Sequence, residues 1–207
     1  MRPALAIAAT VLAAGAGFAA WWVMMPGADA RLAACRGGSG GAVGADIGGD
    51  FTLTTHQGQE ITAAELIDKP TLIYFGYTFC PDFCPTDAAF MAEAKALLDQ
   101  RNIDVNTAFI SVDPARDTPE VLRSFVTNLD PEMVGLTGTE AQIAEAARNW
   151  RVYYAVAGER DDPYYLVDHS TFTYLMAPEV GFLDFFRHAT DPAEMAERVA
   201  CYADVLS

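Results

Sequence analysis

The fold can be read from one stretch, Thr71-Leu72-Ile73-Tyr74-Phe75-Gly76-Tyr77-Thr78-Phe79-Cys80-Pro81-Asp82-Phe83-Cys84-Pro85. Residues 71–75 form a continuous apolar run, the pattern of a strand covered on both faces. Gly76 interrupts it, and two cysteines spaced Cys-x-x-x-Cys follow. After Pro85, the residues Phe90, Ala94, Leu97 and Leu98 fall on one helical face. A strand, a short loop and a helix in that order put the cysteines at the carboxyl end of a strand, where α/β folds form their binding crevices. Cys84 is expected near the positive end of the following helix, which favours a thiolate there.

Working outward toward the C-terminus, a second buried strand is predicted over residues 105–112. Thr118-Pro119 opens a helix with Pro at its first position, and its apolar set is Val121, Leu122, Phe125, Val126 and Leu129. Thr139-x-x-Gln142 reads as a capping box before a helix that buries Ile143, Ala147 and Trp150. Residues 171–176 and 180–186 form a strand pair around Ala177-Pro178-Glu179. Asp191-Pro192 caps a last helix with the stripe Met195, Val199, Tyr202 and Leu206. Toward the N-terminus, residues 51–54 and 60–62 make a small hairpin around His56-Gln57-Gly58-Gln59. Strands alternating with helices imply a parallel sheet, and the late hairpin adds antiparallel strands. The expected fold class is α/β: a thioredoxin-like fold with a central mixed sheet flanked by helices, an N-terminal hairpin and an insertion.

Residues 3–23 carry no charge, and Arg2 precedes them. A run of about 20 apolar residues is long enough to cross a bilayer as a helix, and Trp21 and Trp22 suit its far interface. Residues 1–25 are therefore read as a single N-terminal transmembrane anchor, residues 26–46 as a Gly- and Ala-rich flexible tether, and residues 47–207 as the folded domain. Arg2 on the cytoplasmic side places that domain outside the cytoplasm. A cleaved signal peptide and a lipoprotein processed at Leu32-Ala33-Ala34-Cys35 are the alternatives.

The chain of 207 residues holds 13 basic and 28 acidic side chains, a net charge of −15. A surface this negative repels phosphate backbones, so no nucleic-acid partner is expected.

The four cysteines fall into two pairs. Cys80 and Cys84 can oxidise to a disulfide or bind a soft metal ion, and two sulfurs need at least one further donor. His169, in Val167-Asp168-His169-Ser170 just before a strand, is the candidate, with Asp168 orienting the loop behind it or serving as an ordinary turn residue. His56 reads as a solvated turn residue and His188 as a surface residue. Two thiolates and an imidazole suit copper, with zinc chemically open. Cys201 points about 130° away from its helix's apolar stripe. With Cys35 just ahead of the domain, an oxidising compartment favours a structural Cys35–Cys201 disulfide; a lipidated Cys35 with a free Cys201 is the alternative.

The chain resembles the Sco/SenC family of copper-binding, thioredoxin-like proteins. The residues that carry the resemblance are residues 74–85 of the opening stretch, Ser111-Val112-Asp113-Pro114-Ala115-Arg116-Asp117-Thr118-Pro119, Gly135-Leu136-Thr137-Gly138 and Val167-Asp168-His169-Ser170. The resemblance implies one copper ion per chain, Cu(I) or Cu(II), held by Cys80, Cys84 and His169. It implies a role in building the binuclear copper centre of cytochrome c oxidase subunit II, fed by a copper donor chaperone. The site would lie on the periplasmic side of the cytoplasmic membrane. The competing functions are a thiol–disulfide oxidoreductase in which Cys80 and Cys84 form the redox pair that reduces the target's cysteines, and a redox or copper sensor.

Overall fold

The computed structural model describes residues 27–36, 43 and 45–206. The expected membrane helix over residues 1–25 lies outside the described residues. Among those described, no helix is long and apolar enough to cross a membrane.

Nine strands and six helices are described, beginning with α1 (Ala28–Ala34), β1 (Thr52–Thr55), β2 (Glu60–Thr62) and α2 (Ala63–Leu66). The central unit is β3 (Thr71–Gly76), α3 (Phe83–Asp99), β4 (Asn106–Ser111), α4 (Pro119–Leu129), β5 (Val134–Thr137) and α5 (Glu140–Asn149). It is followed by β6 (Tyr154–Ala157), β7 (Leu166–His169), β8 (Thr173–Ala177), β9 (Gly181–Phe186) and α6 (Pro192–Leu206). Seven strands form one sheet in the order β2-β1-β5-β4-β3-β8-β9. β3, β4 and β5 run parallel, while β8 and β9 close one side antiparallel. With α3 after β3, α4 after β4 and α6 at the end, this is a thioredoxin-like α/β fold with a mixed sheet. β6 and β7 form a separate two-stranded ribbon.

All six residues of β3 are buried, which is why its sequence shows no alternation. Trp150 is wholly buried at the end of α5. Its ring lies 5.6 Å from Phe75 and 6.1 Å from both Phe51 and Tyr174. The capping box at Thr139 and Gln142 is present, and a second one, Thr62 with Glu65, starts α2.

Several local expectations need correction. The buried stripe of α3 runs through Cys84, Asp87, Ala88, Met91, Ala94, Lys95 and Leu98, so Phe90 and Leu97 sit at its margin. Val121 and Leu206 are about two-fifths exposed rather than buried, because each lies at the edge of its helix's apolar face. Within residues 26–46, Ala28–Ala34 is helical, with Leu32 and Cys35 buried, and this helix packs on α6. Three strands had no local signature. β5 and β7 are each four residues long, and the ribbon strand β6 is half-buried throughout.

His56 is not a solvated residue, being only 4% exposed. The β1–β2 turn folds over β5, and His56 Nδ1 accepts the Gly135 N–H at 3.0 Å. Burial, reinforced by the charge of Arg123, lowers its pKa from the ordinary 6.5. The unfolded chain therefore takes up this proton first as pH falls, and folding loses stability below about 6.5. Asparagine can still accept the Gly135 N–H but does not titrate. The drop in Tm between pH 7.5 and 5.5 should accordingly be smaller in His56→Asn than in the parent; an equal drop would place the titrating group elsewhere.

Candidate metal centre

β3 delivers the backbone to Gly76 at the sheet's rim, and the chain turns through Tyr77–Asp82 into α3. The loop is tied down by Asp117, which follows β4 and is itself buried. Asp117 Oδ2 accepts from Thr78 N at 3.0 Å and Oδ1 from Thr78 Oγ1 at 2.6 Å, while Ser111 Oγ donates to Oδ2 at 2.6 Å. Burial raises the pKa of this carboxyl, and its hydrogen bonds oppose the rise.

Cys84 lies inside the first turn of α3 on the core-facing stripe and is wholly buried. Cys80 lies before the helix and keeps 8% exposure. Its sulfur accepts the Cys84 N–H at 3.4 Å, satisfying one of the donors that a helix start leaves open. Cys80, rather than Cys84 as the sequence reading had it, therefore receives the thiolate-stabilising end of the helix. The Cys84 thiol foremost, then His169 and backbone N–H groups, draw the Cys80 thiol well below the ordinary thiol range, against the effect of burial. Cys84, sharing that proton-poor neighbour and fully desolvated, is pushed strongly up. Gly76 leaves room for this arrangement, since a Cβ there would stand 2.9 Å from Cys84 Sγ and 2.7 Å from the Tyr74 ring.

His169 comes from the other side, at the end of β7. Its Nδ1–H donates to the Ser170 carbonyl at 2.9 Å, which leaves Nε2 with its lone pair toward the cysteines. Nε2 is 3.2 Å from Cys84 Sγ. Tyr74 and Tyr77 meet the imidazole edge-on, with ring centres 6.0 and 5.8 Å away. The donor atoms of Cys80, Cys84 and His169 all lie within 4.8 Å of one another. Two sulfurs and a properly oriented imidazole nitrogen form a soft donor set that fits a copper ion. Cys80 and His169 line a crevice of about 330 Å³ with Tyr77, Phe83 and Val167 among its walls, and Cys84 is buried outside that lining.

The other candidates fall elsewhere. Asp168 is exposed on the crevice wall, and no hydrogen bond of its carboxylate occurs among the described residues; the Ser170 carbonyl does the orienting instead. His188 is half-buried, bonded through Nδ1 to Asp87 at 3.0 Å and packed on Phe83 with ring centres 4.6 Å apart. Asp87 went unnoticed in the sequence, because a buried aspartate on a helix face has no local signature. Cys35 and Cys201 form a disulfide with Cα atoms 5.6 Å apart, whereas Cys80 and Cys84 are free thiols.

The sequence profile of SCO1/SenC matches residues 40–204. The chain belongs to the SCO1/SenC family. Protein SenC of Rhodobacter capsulatus is 47% identical over 203 residues, covering 98% of this chain and 90% of that protein. Among solved structures, Arabidopsis thaliana ScoI with copper bound is 38% identical with a TM-score of 0.70, covering 77% of this chain and 98% of that one. Bradyrhizobium japonicum ScoI with copper bound is 39% identical with a TM-score of 0.69, covering 75% and 99% respectively. The SCO1/SenC match takes in every block of sequence that builds the crevice, from the cysteine loop to the ribbon.

Proposed function

We propose that this protein is a copper metallochaperone that holds one copper ion, as cargo, between Cys80, Cys84 and His169 and helps to assemble cytochrome c oxidase. The observation that carries the reading is the convergence of two free sulfurs and one imidazole nitrogen within 4.8 Å. Relatives solved with copper bound and the description of Sco proteins as cytochrome c oxidase assembly proteins support it. In this reading the target is the cysteine-bearing binuclear copper centre of subunit II, and a copper donor chaperone loads the site. Residues 1–25 anchor the chain in the cytoplasmic membrane with the domain in the periplasm, an assignment supported by the uncharged run after Arg2.

The chain's own groups divide the work. The sulfurs bind the soft ion, and Cys80, at the crevice side of the pair, is the sulfur a partner's thiolate reaches first. Fixing His169 Nδ1 on a carbonyl keeps Nε2 available without a tautomer change. The imidazole should matter most for Cu(II), since thiolates alone tend to reduce it. Metal titration of the reduced domain is expected to give one copper per chain. His169→Ala should lower Cu(II) affinity much more than Cu(I) affinity. Unchanged Cu(II) affinity in that variant would remove His169 from the site.

The placing of Cys80 in the crevice lining, its sulfur accepting a helix N–H beside a second free thiol, also favours a second reading, reduction of a partner disulfide. The Cys80 thiolate would attack one partner sulfur and release the other as a thiolate, and Cys84 would then displace the second. This chain would be left as a Cys80–Cys84 disulfide, with two electrons passed to the partner. Metal-free turnover with a dithiol reductant separates this activity from copper holding.

A further inference from the structure

The segment between β4 and α4, Asp113-Pro114-Ala115-Arg116-Asp117, supplies no metal donor, yet it touches both halves of the centre. Asp117 holds the cysteine loop through Thr78. Asp113, also buried, holds the ribbon, its Oδ1 accepting the Tyr165 O–H at 2.6 Å. Arg116 lies between them. Its Nε donates to Asp113 Oδ2, and its Nη1 donates to the carbonyls of Tyr165 at 2.9 Å and Pro163 at 3.5 Å. Its guanidinium carbon stands 3.6 Å from the centre of the Tyr165 ring, 4.8 Å from that of Phe79 and 5.7 Å from that of Tyr77. Phe79 is the residue before Cys80, and Tyr165 immediately precedes β7, the strand that ends in His169.

The ribbon needs such an anchor. β6 and β7 pair with each other and with no strand of the main sheet, and a lone two-stranded hairpin is barely stable in water. Its position relative to the cysteines is therefore set by side chains. Arg116 combines an ion pair with the buried Asp113, an Nη1 group shared by two carbonyls and a stack of aromatic faces. A planar guanidinium can make all three together, and an ammonium cannot.

We propose that Arg116 is a positioning residue for the copper centre: it clamps the β6–β7 ribbon to the cysteine loop and so keeps the imidazole of His169 within reach of the two sulfurs. The proposal deepens the copper reading and rests on it for its metal readout, but its conformational readout needs no metal. Arg116→Gln should weaken Cu(II) binding by about 10–100-fold, the range typical of groups that orient a ligand, and Arg116→Lys should fall in between. Because the residue acts through His169, Arg116→Gln placed on a His169→Ala background should cost no more than about twofold further. In the metal-free protein, amide exchange at Leu166 and Asp168, whose N–H groups face β6 in the ribbon's register, should quicken by about tenfold or more, with β3 and β4 amides unchanged. Cu(II) affinity within about twofold of the parent, a fully additive loss in the double variant, or unchanged ribbon exchange would each overturn the clamp. If the parent chain binds no copper, the copper reading fails and the exchange measurement alone decides the clamp. If Arg116→Gln does not fold, Arg116→Lys carries the same tests, since it keeps the charge but loses the planar contacts.

Discussion

Cys84→Ser is expected to abolish stable copper holding, with a loss larger than the roughly 10–100-fold typical of groups behind a ligand. Cys84 is wholly buried and stands 3.2 Å from His169 Nε2. A serine hydroxyl is a hard donor that stays protonated at neutral pH, and soft Cu(I) discriminates against it. Cys80 and His169 alone would remain, two donors from two separate elements. The fold should survive, since serine is smaller than cysteine and strands only one buried hydroxyl, a cost of about 1–3 kcal/mol. The measurement is competition for Cu(I) against a chromophoric chelator, with Tm recorded alongside. Copper held with the parent's stoichiometry and affinity would show that Cys84 belongs to the core and not to the centre. Cys80→Ser should lose the metal as well, but with a smaller change in Tm, because Cys80 keeps access to the crevice and packs less deeply.

The contrast between the two cysteines shows how far the sequence could be read. The buried run of β3, the Pro-led start of α4 and the capping box of α5 are local chemistry, and each element stands where its residues placed it. The three side chains singled out as donors stand together. Their electrostatic roles were not legible, because those depend on where α3 begins. With Phe83 as its first residue, Cys84 turns into the core, and Cys80 becomes the acceptor of a helix N–H. The ribbon was invisible for a different reason. Leu166 is exposed, Val167 buried and Asp168 exposed, while β6 is half-buried at every position; four residues of that kind give no usable period. What holds the ribbon is Arg116 and Asp113, which lie about 50 residues earlier in the chain, a distance no local pattern spans. His56 belongs to the same class. A polar turn reads as solvated until β5 is laid across it, and the length of β5 hid it as well.

Removing the Cys35–Cys201 bond should give the largest loss of stability, about 2–5 kcal/mol. The bonded residues are 166 apart in sequence, and the chain-entropy relation for so long a loop gives an upper figure of about 5 kcal/mol. What the bond holds cannot hold itself. α1 has seven residues, well under the length at which an isolated helix persists, and its buried contacts are mainly Leu32 and Cys35. Arg36 adds a bond to the Leu183 carbonyl at 3.3 Å. Without the disulfide, α1 should leave α6 and expose that face. The variant to use is the double Cys35→Ser, Cys201→Ser, since a single change would leave a thiol able to pair wrongly with Cys80 or Cys84. For a domain of this size the expected fall in Tm is roughly 5–15 °C, with copper stoichiometry unchanged because the centre is built from other elements. A fall of less than about 2 °C would mean that packing alone docks α1. The comparison matters for function because the two pairs must live in one compartment in opposite states. Cys35 and Cys201 are joined while Cys80 and Cys84 stay free, and a reductant strong enough to open the first pair would remove the support of α1 while leaving the second pair ready to bind.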